Sequence, residues 1–402
     1  MTQPFSRPAV APPAPAEPAW PAVVSVALGV FGLVTAEFLP ASLLTPMAAD
    51  LNVSEGMAGQ AVTATALVAL ATSIFIATAS RNIDRRHLLI GFSVLLVASN
   101  LMSAFANSLP LLLFGRVLLG VALGGFWTMS TAVVMRLVPE RSIPRALSIV
   151  FSGVSAATIV AAPVGSFVGD MAGWRAVFLL AAALGLITLV AQVATLPSMA
   201  PSGQTRLRTM IEVLARPGVG LGMLAAMLTF TGHFAFFTYI RPFLETMDGV
   251  GINSISAILL GFGVANFVGT LTAGLLIARS LRLTLVAMPL IMALMGFGLV
   301  AVGAQPVAGA LMIALWGFAF GAVPVAWSTW LSRTTPDQAE TAGGLLVAAI
   351  NTAIATGAAA GGAIYDVTGA SGVFTSASIA LILAATVVVA RIRTRPALAA
   401  AA

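Results

Sequence analysis

The sequence has no cysteine and no lysine, and only 8% of its 402 residues are charged. Without cysteine, the chain can form no disulfide, no thiolate nucleophile and no cysteine-bound metal site. All 19 basic residues are arginines in small, scattered groups, unlike the clustered basic face of a nucleic-acid-binding protein. Soluble domains carry about a quarter charged residues. The chain therefore has too little polar surface to cover several soluble globules.

The sequence is instead rich in long hydrophobic runs. Hydrophobic residues make up 59% of the chain, and the mean hydropathy is +1.04. About 20 apolar residues cross a bilayer, and twelve apolar runs of at least that length follow one another, the first at roughly 21–43. The sequence predicts an all-α polytopic membrane protein with twelve transmembrane helices.

Composition changes divide this chain into five segments. They are a disordered tail rich in proline and alanine (1–19), a six-helix bundle (20–198), a cytoplasmic central loop (199–218), a second six-helix bundle (219–392) and a cytoplasmic tail (393–402). With both termini inside, 16 of the 19 arginines fall on the inner side, as the positive-inside rule requires. We therefore expect a multi-pass protein of the bacterial inner membrane with cytoplasmic termini, and we call its two ends the predicted inner and outer ends.

The two halves share a glycine pattern. Gly120 and Gly124 coincide with Gly317 and Gly321 at an offset of 197, and Gly165 and Gly169 coincide with Gly357 and Gly361 at an offset of 192. Gly-x-x-x-Gly steps let two membrane helices approach closely. Parallel six-helix repeats are the plan of major-facilitator transporters, whose substrate site lies between the halves. A duplicated bundle without transport activity is the alternative interpretation.

Three titratable residues lie well inside spans: Glu37, Arg116 and His233. Buried charge is costly in lipid, so it persists where it faces a wet cavity or a partner. At 1.5 Å per residue, Glu37 and Arg116 are each about 9 Å from the outer end of their spans. We expect Glu37 to bind and release a proton, with Arg116 modulating it. Alternatively, Glu37 touches interfacial water and Arg116 snorkels outward.

Further side chains are candidates for binding a substrate. Beside His233 they are Phe234, Phe237, Tyr239, Asn266, Asn351, Trp127 and Trp327. Aromatic faces can stack on a planar base, and mid-span amides can donate or accept hydrogen bonds. Ordinary helix packing and interhelical hydrogen bonds are the competing interpretation for all of them.

Several motifs resemble the drug and sugar efflux branch of the major facilitator superfamily. They are Arg116 with Gly120 and Gly124 in span 4, Pro163 and Gly165 in span 5, and Asp84-Arg85-Arg86 in the loop between spans 2 and 3. The resemblance implies that Arg116 takes part in proton coupling and that the glycine, proline and loop motifs serve conformational change. Residues 37–60, 115–130, 234–242 and 323–330 resemble nucleoside exporters of this superfamily. That implies export of inosine- and guanosine-like purine ribonucleosides in exchange for protons.

Other functions remain to be weighed. Efflux of sugars or drugs by the same antiport mechanism is the main alternative. An intramembrane enzyme is disfavoured because neither histidine is placed to serve Ser371 as a base, and a channel would need rings of charged or carbonyl ligands. We expect a monomeric secondary transporter with no metal and no cofactor, whose partners are its substrate, protons and the lipid bilayer, with no nucleic acid.

Overall fold

A computed structural model describes residues 17–80, 82–139, 142–200, 207–247, 249–302 and 305–392. Most of the predicted N-terminal tail (1–16) and the predicted C-terminal tail (393–402) lie outside the described residues, as does 201–206 of the central loop. The limits of the five predicted segments therefore stay a prediction.

The described residues form helices joined by short loops. The helices are α1 (Trp20–Leu51), α2 (Glu55–Ala79), α3 (Arg85–Ala104), α4 (Leu109–Leu137), α5 (Ile143–Ala172), α6 (Trp174–Thr195), α7 (Leu207–Leu214), α8 (Val219–Thr238), α9 (Ile240–Glu245), α10 (Ile252–Val302), α11 (Pro306–Thr334) and α12 (Ala339–Arg391). A 3₁₀ turn, Pro336–Gln338, precedes α12. The short helix α7 lies within the predicted central loop.

Ten of these helices, within the described part of the chain, are long and apolar enough to cross a membrane. Two of them are far too long for one crossing: α12 has 53 residues, or about 80 Å, against a hydrocarbon core of about 30 Å. The backbone leaves helical geometry at Ser280 in α10 and at Gly369 in α12. Each of these two helices therefore crosses twice, and the prediction of twelve crossings is confirmed.

Helix α1 is longer than the sequence predicts. The expected span ended near residue 43, whereas the helix continues through Pro40 and Pro46 to Leu51. Proline interrupts a helix in water but is tolerated in membrane helices when neighbouring groups satisfy the freed backbone. Glu37 consequently lies fourteen residues from the end of α1, which is about 21 Å and not the expected 9 Å.

The shared glycines make equivalent contacts in the two halves. A side-chain carbon added at Gly120 would collide with the Thr65 carbonyl of α2, and one added at Gly317 would collide with the Phe262 carbonyl of α10. The second pair repeats this geometry, since Gly165 abuts α1 and Gly357 abuts α8. The close approach of α4 to α2 thus reappears as that of α11 to α10. The predicted pseudo-repeat of two six-helix units is confirmed.

Candidate functional site

A small cavity lies between the two halves, near the middle of the bundle. The first half contributes Glu37, Phe38, Ala41 and Val62, and the second half contributes Phe234, Phe237, Thr238 and Ile354. The rings of Phe38 and Phe237 meet edge to face across the boundary, 5.3 Å apart. The predicted residues Glu37, Phe234 and Phe237 therefore line the same cavity, Glu37 on one side and the two phenylalanines on the other.

Arg116 is fully buried beside this cavity. Its Nη1 donates to the Ala36 carbonyl at 2.9 Å, and its Nε donates to Thr65 Oγ1 at 3.0 Å. The Arg116 and Glu37 charges are close enough to attract each other, yet no ion pair within 4.0 Å joins them in the described structure. Arg116 Nη2 is buried with no hydrogen-bond partner. The guanidinium thus holds the backbone next to Glu37 and makes no ion pair with the Glu37 side chain, which is half-buried at the cavity wall.

His233 lies one layer behind the cavity wall. Its ring is parallel to that of Phe320 and also faces Phe237, with centroids 5.8 Å apart. Trp316 Nε1 donates to His233 Nδ1 at 3.2 Å. Since Nδ1 accepts a hydrogen bond, the neutral ring carries its proton on Nε2. His233 is therefore oriented by the second half itself and supports the aromatic wall from behind.

The predicted outer end is closed above the cavity by contacts between the halves. Asp366 of α12 accepts hydrogen bonds from Ser54 Oγ at 2.8 Å and from the Gly56 backbone at 3.1 Å, both at the start of α2. Arg241 of α9 donates to the Ser42 carbonyl of α1. Tyr239 is fully buried here and donates to the Ala358 carbonyl at 3.0 Å. Tyr239, predicted as a substrate ligand, thus packs the outer closure in this state.

The predicted amide ligands lie in different surroundings. Asn266 donates to the Gly317 carbonyl at 3.3 Å and so joins α10 to α11. Asn351 donates to Val347 of its own helix at 3.0 Å, while its buried Oδ1 has no partner. Asn351 stands one helical turn from Ile354 of the cavity wall. The packing interpretation therefore fits Asn266, whereas Asn351 retains a free acceptor near the cavity.

The sequence matches a known protein family over most of its length. The model of the major facilitator superfamily matches residues 26–346. The chain belongs to the major facilitator superfamily. It is a secondary transporter of that family and not an enzyme, which confirms the predicted class.

Curated relatives cover nearly the whole transporter. It is 47% identical, over 381 residues, to the purine ribonucleoside efflux pump NepI of Salmonella enteritidis PT4, covering 95% of this chain and 96% of that protein. The identity and coverage are the same for the purine ribonucleoside efflux pump NepI of Salmonella typhimurium LT2.

Two solved structures share the fold at low sequence identity. The crystal structure of a D-xylose–proton symporter superposes with a TM-score of 0.77 at 19% identity, covering 93% of this chain and 98% of that one. A bacterial homologue of the human lysosomal transporter Spinster, inward-facing and unoccupied, superposes with a TM-score of 0.70 at 13% identity, covering 92% and 94%. These likenesses support the major-facilitator fold.

The loop motif of this transporter fastens α3 to the end of α6. Asp84 caps α3 by accepting from the Arg86 backbone at 2.8 Å, and Arg86 Nη2 donates to the Val193 carbonyl at 2.9 Å. Hydrogen bonds from the Ser198 hydroxyl and the Met199 backbone lower the pKa of Asp84 to about 2. Arg85 donates to the Ser80 carbonyl at 3.2 Å. All these contacts lie within the first half and the first residue of the central loop.

The remaining predicted residues line other surfaces. Trp127 stacks on Phe151 at 6.2 Å, and buried Trp327 meets Trp330 edge to face at 5.5 Å. Pro163 lines an apolar groove between α5 and α10 with a cavity of about 310 Å³. None of the three lines the cavity that contains Glu37.

Sequence reasoning missed Phe38 and Arg241 and did not select Thr238 as a binding residue. Phe38 and Thr238 are adjacent to predicted residues, so a search one position to either side would have included them. Arg241 is one of the few arginines that the predicted orientation leaves on the outer side, whereas its side chain is buried between the halves. The sequence feature that could have indicated Arg241 is Pro46, because its missing N–H leaves the Ser42 carbonyl in need of a donor from elsewhere.

Proposed function

We propose that this transporter exports purine ribonucleosides, such as inosine and guanosine, in exchange for protons. It works by alternating access in the bacterial inner membrane, with both termini in the cytoplasm. The observation that carries the proposal is that Glu37 lines a cavity enclosed by both halves. The extensive identity to purine ribonucleoside efflux pumps supports the choice of cargo.

The cavity is only about 10 Å³ in this closed state and must widen to admit a cargo, but its lining suits an uncharged, planar one. Phe38, Phe234 and Phe237 present aromatic surfaces, on which a nucleobase gains about 1–3 kcal/mol by stacking. Thr238 and the unpartnered Oδ1 of Asn351 add polar groups at or near the wall. Glu37 is the sole carboxylate on the described lining, so the cavity lacks the further anions that cationic drugs would need.

Proton exchange follows from the position of Glu37 between two opposing influences. Burial favours the neutral carboxyl group, whereas a nearby guanidinium favours the carboxylate. A movement that changes the separation of Glu37 and Arg116 therefore changes the proton affinity of Glu37. Proton uptake at one face and release at the other then drives the cargo the opposite way.

The test measures labelled inosine uptake into inverted membrane vesicles with an imposed pH gradient. Glu37→Gln should abolish gradient-driven accumulation while preserving exchange of labelled for unlabelled inosine, because exchange needs no net proton movement. Asp170→Asn is the matched control, since Asp170 is an exposed carboxylate at the end of α5. Unchanged gradient dependence in Glu37→Gln would refute the proton assignment. Inhibition by a sugar but not by guanosine would refute the proposed cargo.

A further inference from the structure

Two prolines interrupt the backbone hydrogen bonds of α1. The N–H of each helical residue normally bonds to the carbonyl four residues earlier, and proline has no N–H. Pro40 and Pro46 therefore free the carbonyls of Ala36 and Ser42. A buried carbonyl needs a donor from elsewhere. Each of these two is bonded by an arginine.

The two arginines belong to different halves. Arg116, which bonds Ala36, is on α4 of the same half as α1. Arg241, which bonds Ser42, is on α9 of the opposite half. The first contact is thus internal to a bundle, whereas the second crosses the boundary that must open and close during transport.

The Arg241 guanidinium donates hydrogen bonds to both halves. Its Nε donates to Glu245 Oε1 of its own helix at 2.7 Å, while its Nη1 donates to Ser42. Arg241 is only 4% exposed. If the halves separate, Glu245 remains as its counter-ion, so the guanidinium is never left without a partner. The Ser42 carbonyl then meets water, which can satisfy it.

We propose that Arg241 is a positioning residue for transport, because it ties closure of the predicted outer end to the placement of Glu37. It holds the part of α1 just beyond Glu37 and Phe38 against the second half, through the carbonyl that Pro46 frees. This inference rests on the proposed function, in which Glu37 exchanges the proton. It adds a requirement, namely that the Arg241–Ser42 contact breaks whenever the outer end opens.

The absence of cysteine makes a direct test possible. Ala41 lines the cavity and is 3% exposed, so a single Ala41→Cys thiol reports opening. Its rate of reaction with a membrane-impermeant maleimide is measured from the predicted outer side. Asn107→Cys, at an exposed loop position, reports the amount of protein in the membrane.

Pro46→Ala is the decisive variant. Its new backbone N–H competes with Arg241 for the Ser42 carbonyl, and alanine strengthens the helix, so the chain still folds. Loss of a charge-assisted hydrogen bond shifts an equilibrium by roughly tenfold or more. We therefore expect about tenfold faster labelling of Ala41→Cys in the Pro46→Ala background. Pro289→Ala is the matched control, because no described arginine bonds the Leu285 carbonyl that Pro289 frees, and its labelling should equal that of the parent.

Arg241→Met should also speed labelling, and combining it with Pro46→Ala should add little, because both remove one contact. Where Arg241→Met does not reach the membrane, Arg241→Lys takes its place, with an intermediate rate expected. Parent-like labelling of Pro46→Ala, or effects that multiply in the double variant, would overturn the inference. Labelling needs neither substrate nor pH gradient, so this failure is distinguishable from failure of the proposed function.

Discussion

Replacing Arg116 by methionine should destabilise the transporter mainly through the carbonyl that it abandons. Two charge-assisted hydrogen bonds, to Ala36 and Thr65, contribute about 3–6 kcal/mol together. Removing a buried charge returns about 2.5–3.5 kcal/mol, which offsets most of that loss. The Ala36 carbonyl then stays buried without a donor, at a cost of about 1–3 kcal/mol. This last contribution should decide the net effect.

Pro40→Ala should therefore rescue Arg116→Met. The restored N–H at position 40 can bond the Ala36 carbonyl, so the double variant should be about 1–3 kcal/mol more stable than additivity predicts. The free energy of unfolding is measured in mixed detergent micelles for the four members of the cycle. Pro289→Ala replaces Pro40→Ala in the control cycle, where no coupling is expected. Equal destabilisation by Arg116→Met with Pro40 and with Ala at position 40 would refute this reasoning.

Three further predictions concern packing, the loop motif and the aromatic wall. Gly124→Leu and Gly321→Leu should each prevent the close approach of paired helices and so lower the yield of folded protein, measured by size-exclusion chromatography. A folded, monodisperse Gly321→Leu protein would contradict the repeat packing. Asp84 has a pKa of about 2 in the folded protein against an ordinary 3.8. The stability that its carboxylate gives to the loop is therefore present above about pH 4 and is lost as the pH falls toward 2. Amide hydrogen exchange of residues 196–200 should show this pH dependence, and Asp84→Asn should abolish it. Trp316→Phe should remove the donor to His233 and weaken inosine binding severalfold in equilibrium dialysis; unchanged affinity would show that orientation of the ring is unimportant.

Much of the fold could be predicted because the membrane imposes length and polarity. The number of crossings follows from apolar runs, and the equivalence of the halves follows from the spacing of Gly120, Gly124, Gly317 and Gly321. The end of α1 could not be predicted in this way. Taken alone, Pro40 and Pro46 predict that the helix ends. The helix continues because Arg116 and Arg241 donate to the two carbonyls that these prolines leave without a backbone donor.

The candidate site could be predicted in part for a related reason. Glu37, Phe234 and Phe237 stood out through charge or aromatic spacing, and the structure places all three on the cavity. The partner of Arg116 could not be found from sequence, because a carboxylate one residue away is a more obvious choice than the Ala36 carbonyl. Tyr239 looked suited to a ligand, but its hydroxyl is used by the Ala358 carbonyl.

The contact of Asp366 with Ser54 and the Gly56 backbone has a consequence for α2 itself. The first turn of this helix has N–H groups without intrahelical partners, and a residue of the opposite half accepts one of them. When the halves part at that end, the Gly56 N–H loses this acceptor while Ser54 still caps the Met57 N–H, so the first turn should become less stable. The secondary structure of residues 54–57 would then vary over the transport cycle. The conformation of this helix terminus, as well as the angle between the halves, would differ between the two open states.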